Sequence, residues 1–332
     1  MGERVDALPI ARSVTPEMNV ALTAAVLPDE VRQTVFAMGS KQAPGLDGFT
    51  GKFFKAFWGI VGDSVIDVVC SFFTTSKMLR SFNHTWLTLI PKVDNVETMK
   101  QLRPISLCQF VYKVITKILA ERLSCLLPHI ISLGQNAFIR ERQIVENILL
   151  GHELMHYLKI KRQGKKGYMA LKVDMEKAYD RVEWPFLLAL LNKMGFNSVW
   201  QGWIHECLRS SSFSVLVNGT PSRYFMPTRG LRQGDPLSPL LFVLCTEGFA
   251  ALLNKAISDN RLAGVKVAPR ATRISHLFFA DDSYMFLRRN LQECENLIEV
   301  LNEYEELSGQ RINLAKLAVC FSKNITLLTK SS

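Results

Sequence analysis

The order of hydrophobic patterns between residues 168 and 321 restricts this chain more than any other feature. Tyr168 to Asp174 (Tyr-Met-Ala-Leu-Lys-Val-Asp) has the composition of a strand. Phe213, Val215 and Val217 alternate with Ser and Leu and lead into Asn218-Gly219, the strongest short hairpin signal. Pro236 suits the first position of a helix that runs through Lys255. Ile274 to Leu287 is apolar and aromatic on both sides of Ala280-Asp281-Asp282-Ser283, as in a hairpin with acids at its bend. Asn290, with Glu293 three residues later, caps a helix that Gly309 ends, and Arg311 to Phe321 reads as a last strand. The resulting order of strand, helix, strand, strand, helix, strand predicts an α+β fold, with helices on one face of a split antiparallel sheet.

Upstream, residues 1–29 mix Pro9, Pro16 and Pro28 with Thr and Ala without a sustained period, which predicts a weakly ordered lead-in. Val31, Val35 and Met38 share one helical face over residues 30–38, and a turn-rich segment follows at 43–48. Trp86 to Lys92 reads as a short strand stopped by Pro91. Apolar residues at 107, 110, 111, 114, 115, 118, 119 and 123 predict one amphipathic helix over 105–127, closed by Pro128.

At 332 residues the chain is long enough for two domains or one large lobed one, and 48% apolar against 21% charged residues excludes wholesale disorder. No uninterrupted apolar run exceeds six residues, whereas a spanning helix needs about 20, so a transmembrane protein is not expected. The first ten residues lack the apolar core of a secretory signal. Seven cysteines without a Cys-x-x-Cys pair suit a reducing compartment. The net charge of +10 suits a polyanionic partner.

Asp174 ends one predicted strand, and Asp281 and Asp282 interrupt an otherwise apolar hairpin. Carboxylates in such surroundings are costly unless cations compensate them. Aspartates on neighbouring strands are the usual holders of a divalent pair for phosphoryl transfer, and oxygen ligands favour Mg²⁺, with Mn²⁺ as a substitute. The plainer alternative is that Asp-Asp only makes a turn. A competing motif, His152-Glu153-Leu-Met-His156, formally matches the zinc metalloprotease helix, but the nearest downstream histidine, His205, lies far off for a third ligand.

Seven blocks in order resemble the reverse transcriptase domain of LINE-type, non-LTR retrotransposons, most closely those of plants. Three of them look like the palm motifs: Lys172-Val-Asp-Met-Glu-Lys-Ala-Tyr-Asp-Arg-Val, Gly230-Leu-Arg-Gln-Gly-Asp-Pro-Leu-Ser-Pro and Phe279-Ala-Asp-Asp. Upstream, Ala43-Pro-Gly-Leu-Asp-Gly, Leu89-Ile-Pro-Lys and Arg103-Pro-Ile-Ser look like fingers motifs. Downstream, Ser308-Gly-Gln-Arg-Ile-Asn-Leu-Ala-Lys resembles a segment bearing a lysine near the triphosphate.

The resemblance implies a right-hand polymerase: fingers over 30–165, a ferredoxin-like palm over 166–323 with part of 184–230 packing with the fingers, a tail over 324–332, and no thumb. It implies RNA-directed DNA polymerase activity on an RNA template, a DNA primer and deoxynucleoside triphosphates. Asp174 and Asp281 would hold both ions, with Asp282 beside them. Tyr179 would lie under the incoming sugar and reject a 2′ hydroxyl. Gly230, Gln233 and Gly234 would approach template and nucleotide, Arg103 and Lys92 would meet the triphosphate, and Lys316 would protonate pyrophosphate. The basic run Lys159, Lys161, Arg162, Lys165, Lys166 and Lys172 could track a template backbone, or could be a solvated loop. The alternative to an active enzyme is a truncated remnant that at most binds RNA, its thumb and endonuclease belonging to a longer element. Nuclear localisation would follow only from activity, and no membrane partner is implied.

Overall fold

The computed structural model describes Gly2–Ala11, Ser13–Ala268 and Arg270–Asn324. The chain divides into two units: Met1–Ala11, Leu127–Lys193 and Phe242–Ser332 form one, and Arg12–Leu126 and Met194–Leu241 form the other. These units interleave along the chain, so they do not coincide with the sequential ranges 30–165 and 166–323.

In the second unit, helices α2 (Pro16–Leu22), α3 (Pro28–Ala37), α4 (Gly51–Ala56) and α5 (Trp58–Thr75) precede strands β1 (His84–Pro91) and β2 (Leu102–Leu107). Helix α6 (Phe110–Ile130) follows, and α9 (Ser198–Arg209), β4 (Ser212–Val217) and β5 (Thr220–Pro221) complete the unit. The sheet order is β2-β1-β4-β5. The expected lead-in is helical rather than weakly ordered. Thr15 caps α2 by accepting from the Met18 amide, Val14, Leu22 and Val26 are buried, and Asn19 donates to the Gly195 carbonyl at 2.8 Å. Short apolar stretches, too brief to show a period, find partners distant in sequence.

Two further expectations change. Residues 102–107 form a strand paired antiparallel with β1, so the helix expected from 105 begins at Phe110. Pro128 lies within the last turn of α6, which continues to Ile130. The Asn218-Gly219 turn forms as expected, with φ of 51° and 81° at the two residues and β4 pairing with β5 on either side.

The first unit holds α1 (Gly2–Asp6), α7 (Ile144–Ile160), β3 (Tyr168–Glu176), α8 (Trp184–Met194), α10 (Ser238–Ser258), β6 (His276–Phe279), β7 (Asp282–Arg288), α11 (Leu291–Ser308), β8 (Arg311–Ile312) and β9 (Ala318–Phe321). The strands run β6-β7-β3 with β8 and β9 on the far side of β3, and every pairing is antiparallel. Asn290 caps α11 through the Glu293 amide at 2.6 Å, and Gly309 ends it in the left-handed region. The single strand expected over 311–321 is two strands separated by a short turn at Leu314–Lys316.

Helices cover both faces of this sheet, not one. Phe278 meets Phe249 of α10, which stacks on Tyr304 of α11 at 4.7 Å, and these pack one face. Residues one step along the strands point the other way. There Ala170, Leu277 and Phe286 bury against Leu154 and Leu158 of α7.

Helices α5 and α10 are long and apolar enough to cross a membrane, a point that the run-length argument misses because polar residues interrupt both. Most of α10 is buried in the fold, as expected of a core helix. All seven cysteines are free thiols.

Candidate active site

The acids come together through strand register. Asp174 lies opposite Asp282 in the β3–β7 pair, so the two side chains share a sheet face. Asp281 occupies the two-residue bend between β6 and β7, beside Ala280, whose φ is 58°. A left-handed alanine in so short a turn is strained by on the order of 1 kcal/mol, a cost that persists where surrounding strands fix the backbone. The bend sets Asp281 at the strand ends, near enough to Asp282 and Asp174 for their charges to act on it. Burial, joined by repulsion from Asp282 and Asp174, holds the Asp281 carboxyl above the usual carboxylate range.

Two lysines compensate the cluster. Lys316 Nζ lies 2.5 Å from Asp174, a carboxylate only 11% exposed, while the lysine itself is 66% exposed. The turn at Leu314–Lys316 makes this contact possible, because the Asn313 amide donates to the Asp174 carbonyl at 2.8 Å and fixes the turn against the end of β3. Lys172 Nζ lies 3.1 Å from Asp282, which raises the lysine's pKa. Lys172 therefore belongs to the acidic centre and not to the basic run. Strand alternation puts Lys172 on the sheet face of Asp174, but does not tell that it meets Asp282.

Tyr179 follows the tight turn after β3, where Lys177 has φ of 50°. Its ring stacks on Phe242 at 4.8 Å and 12° between planes. Burial first, then the nearby negative charge of Asp281, pushes its hydroxyl pKa up to about 12.

Oxygen donors from Asp174, Asp281 and Asp282 suit hard divalent cations, and both lysines are cations already seated on that donor set. Among the described residues no group of three or more His, Cys, Asp or Glu is placed to hold a metal ion. Asp174 and Asp282 are each paired with a lysine, and the three carboxylates offer the oxygen chemistry of a divalent-cation site without forming a closed ligand set.

Of the other predicted residues, Lys92, Arg103, Gly230, Gln233 and Gly234 lie in the other unit. Arg103 on β2 pairs in register with Ile90, and the Lys92 amide donates to the Gln101 carbonyl, so these two cations sit near the same end of one ribbon. Lys92 Nζ donates to the Lys100 carbonyl at 3.0 Å. Gly230 and Gly234 have φ of 93° and 112°. The Gln233 carbonyl accepts from the Ser106 amide at 2.8 Å, and a Cβ at Gly234 would meet the Ser106 carbonyl at 2.9 Å, which ties this segment to β2.

Sequence reasoning missed the anchor of that segment. Arg232 is buried with its guanidinium 4.1 Å from the Tyr112 ring centre; it donates to the Cys207 carbonyl at 2.9 Å and to Asn83, and Tyr112 donates to Asp235 at 2.7 Å. The i, i+3 pair Arg232 and Asp235 was visible in sequence, but its burial was not.

His152 and His156 are exposed on α7, and neither belongs to a metal-holding group among the described residues. The zinc alternative is thereby set aside. Lys161 ends α7 over the rings of Tyr157 and Tyr168, at 5.4 and 5.5 Å. Arg162, Lys165 and Lys166 are exposed in the loop that follows.

The chain matches the family described as reverse transcriptase (RNA-dependent DNA polymerase) over residues 90–329. It is 30% identical, over 311 residues, to the uncharacterized 149 kDa protein of transposon TX1 from Xenopus laevis, a match covering 94% of this chain and 23% of that protein. It is 52% identical to an uncharacterized mitochondrial protein of Arabidopsis thaliana over 68 residues, 20% of this chain and 56% of that one. It is 28% identical to the Pol polyprotein of retrotransposable element R2 from Popillia japonica over 236 residues, 69% of this chain and 31% of that one. The chain therefore spans well under two thirds of each of these relatives. Ordered motifs, the shared strand register of the acids and these matches agree: the chain belongs to the reverse transcriptase family, in the form carried by non-LTR retrotransposons.

Proposed function

We propose that this chain adds deoxynucleotides to a DNA primer 3′ end as directed by an RNA template, and that the unit bearing Asp174, Asp281 and Asp282 is the palm and the other unit the fingers. The register that sets Asp174 across from Asp282, with Asp281 in the adjoining strained bend, carries this reading. For a plant LINE-type origin, the 68-residue likeness to an Arabidopsis thaliana protein bears on the plant part alone.

Asp174 and Asp281 supply carboxylate oxygens for Mg²⁺, with Mn²⁺ as a substitute, and Asp282 adds negative charge beside them. A bound divalent pair supplies Lewis acidity that activates the 3′ hydroxyl and steadies the departing pyrophosphate. Lys172 holds Asp282 in place by its ion pair. Lys316, an exposed ammonium beside Asp174, would supply a proton to the departing pyrophosphate. Tyr179, kept flat by Phe242, presents a ring that excludes a ribose 2′ hydroxyl. Arg103, with its two-pronged donor face, and Lys92 serve the triphosphate. Gly230, Gln233 and Gly234 serve template and nucleotide, the glycines because their backbone conformations favour that residue. Lys161, Arg162, Lys165 and Lys166 serve the template backbone.

Primer extension on poly(rA)–oligo(dT) with Mg²⁺ tests the reading. Wild-type extension with loss of at least roughly a thousandfold in Asp281→Asn is expected, since electrostatic stabilisation at the reacting centre is the largest catalytic contribution. Equal extension by both proteins refutes it.

A further inference from the structure

The loop that carries Tyr179 is laced to the C-terminal end of α11 at three successive residues. The Ser308 carbonyl accepts from the Glu183 amide at 2.9 Å, Gly309 leaves no room for a Cβ against the Arg181 carbonyl, and Gln310 Nε2 donates to the Ala178 carbonyl at 3.0 Å. Gln310 is 1% exposed and both ends of its amide are used, since Oε1 accepts from the hydroxyl of Tyr304, itself buried on α11. A carbonyl can only accept, so the Ala178 contact fixes which end of the amide faces the loop.

Burying an amide costs free energy that an apolar side chain of equal size avoids. Ending α11 does not require one, because Gly309 closes the helix with its own amide on the Glu305 carbonyl at 3.0 Å. What the Gln310 amide serves is the loop. The Ala178 carbonyl shares one rigid peptide plane with the Tyr179 amide, so its direction sets the direction in which the tyrosine leaves the backbone. That peptide follows Lys177, whose φ of 50° is a conformation lysine does not favour, and an outside anchor holds such a turn in one shape. Phe242 stacks on the ring at 4.8 Å, which resists tilting but permits sliding in the plane; the bond from Gln310 fixes the backbone end.

We propose that Gln310 is a positioning residue for sugar selection: by holding the Ala178–Tyr179 peptide from the end of α11, it keeps the Tyr179 ring where a ribose 2′ hydroxyl would meet it. This rests on the reading of Tyr179 as the sugar gate, and deepens it by naming a buried residue, out of contact with substrate, that sets the selectivity. Primer extension on poly(rA)–oligo(dT) with dUTP or UTP, which differ only in the 2′ hydroxyl, gives the ratio of kcat/KM for the two sugars. Gln310→Met, similar in bulk but without the donor, should lower that ratio at least about fivefold, the worth of one hydrogen bond. Gln310→Asn, polar but one methylene short of spanning Tyr304 and Ala178, should lower it likewise and supplies the readout where the methionine variant does not fold. In a Tyr179→Val background neither substitution should change the ratio further, because no ring remains to be held, a result that a merely structural role would not give. An unchanged ratio in the single variants, or an equal fall with and without the Tyr179 ring, overturns the positioning role and leaves the gate intact. An unchanged ratio in Tyr179→Val alone removes the gate and the positioning role with it, while the polymerase reading is decided separately by Asp281→Asn.

Discussion

Asp281 carries opposite consequences for stability and activity. Its pKa is raised in the folded protein, so the penalty for ionising it is absent at pH below the unfolded carboxylate value and present in full above the folded one. Asp281→Asn should therefore raise Tm at neutral pH, by less than about 3 °C given the side chain's access to solvent, and the gain should shrink as pH falls. Calorimetry across pH 4 to 8 checks this; a lower Tm at neutral pH contradicts it. Lys316 competes for Asp174, so Lys316→Met should lower the Mg²⁺ concentration for half-maximal extension by up to about fivefold while reducing kcat. A raised Mg²⁺ requirement would count against the competition. Replacing Tyr179 by Val should raise ribonucleotide incorporation by roughly tenfold or more, since the excluded contact is steric and a ring of this size contributes a few kcal/mol. Unchanged sugar selectivity would remove the gate. The proximity of Asp174 to Asp282 follows from strand register, and the sequence singles out these acids, Asp281 and Tyr179 because they stand in recognisable blocks. The contact of Lys172 with Asp282 could not be read from sequence, because a lysine on a strand looks the same whether it faces water or a carboxylate.

Elements were legible where local chemistry decides them. Asn290 and Gly309 mark the ends of α11 by satisfying its orphan amides and its left-handed terminus, and Asn218-Gly219 marks a turn for the same kind of reason. Gly309 is also packed against backbone: a Cβ there would meet Glu183 Cγ at 2.5 Å and the Arg181 carbonyl at 2.7 Å. Gly309→Ala should cost about 2–4 kcal/mol, read as a Tm drop of several degrees; a change under a degree would contradict the cap assignment. Junctions were not legible. Apolar residues at 107, 110, 111 and 114 keep a helical spacing across the boundary between β2 and α6, so period alone merged them. The turn at Leu314–Lys316 was hidden inside a strand-like run, yet it delivers Lys316 to Asp174. Periodicity also reports that a face of α7 is buried without saying against what, which is why helices on the second face of the β6-β7-β3 sheet were not foreseen.

For the whole molecule, the charge of +10 is spread over several places with different tasks. Two lysines are committed to the acidic centre, whereas the loop with Lys165 and Lys166 is open to solvent. Neutralising Lys165 and Lys166 should flatten the salt dependence of RNA binding by about one to two units of log–log slope while leaving Tm within a degree. An unchanged slope would mark a solvated loop that does not touch the template. The central claim is that acids from β3 and from the β6–β7 bend jointly hold divalent cations for nucleotidyl transfer. Electron paramagnetic resonance titration of Mn²⁺, with primer–template and dTTP present and the primer 3′-deoxy-terminated, tests it most directly. About two tightly bound ions in wild type, with loss of tight binding in both Asp174→Asn and Asp281→Asn, is the predicted result; the same tight binding in all three proteins would contradict it.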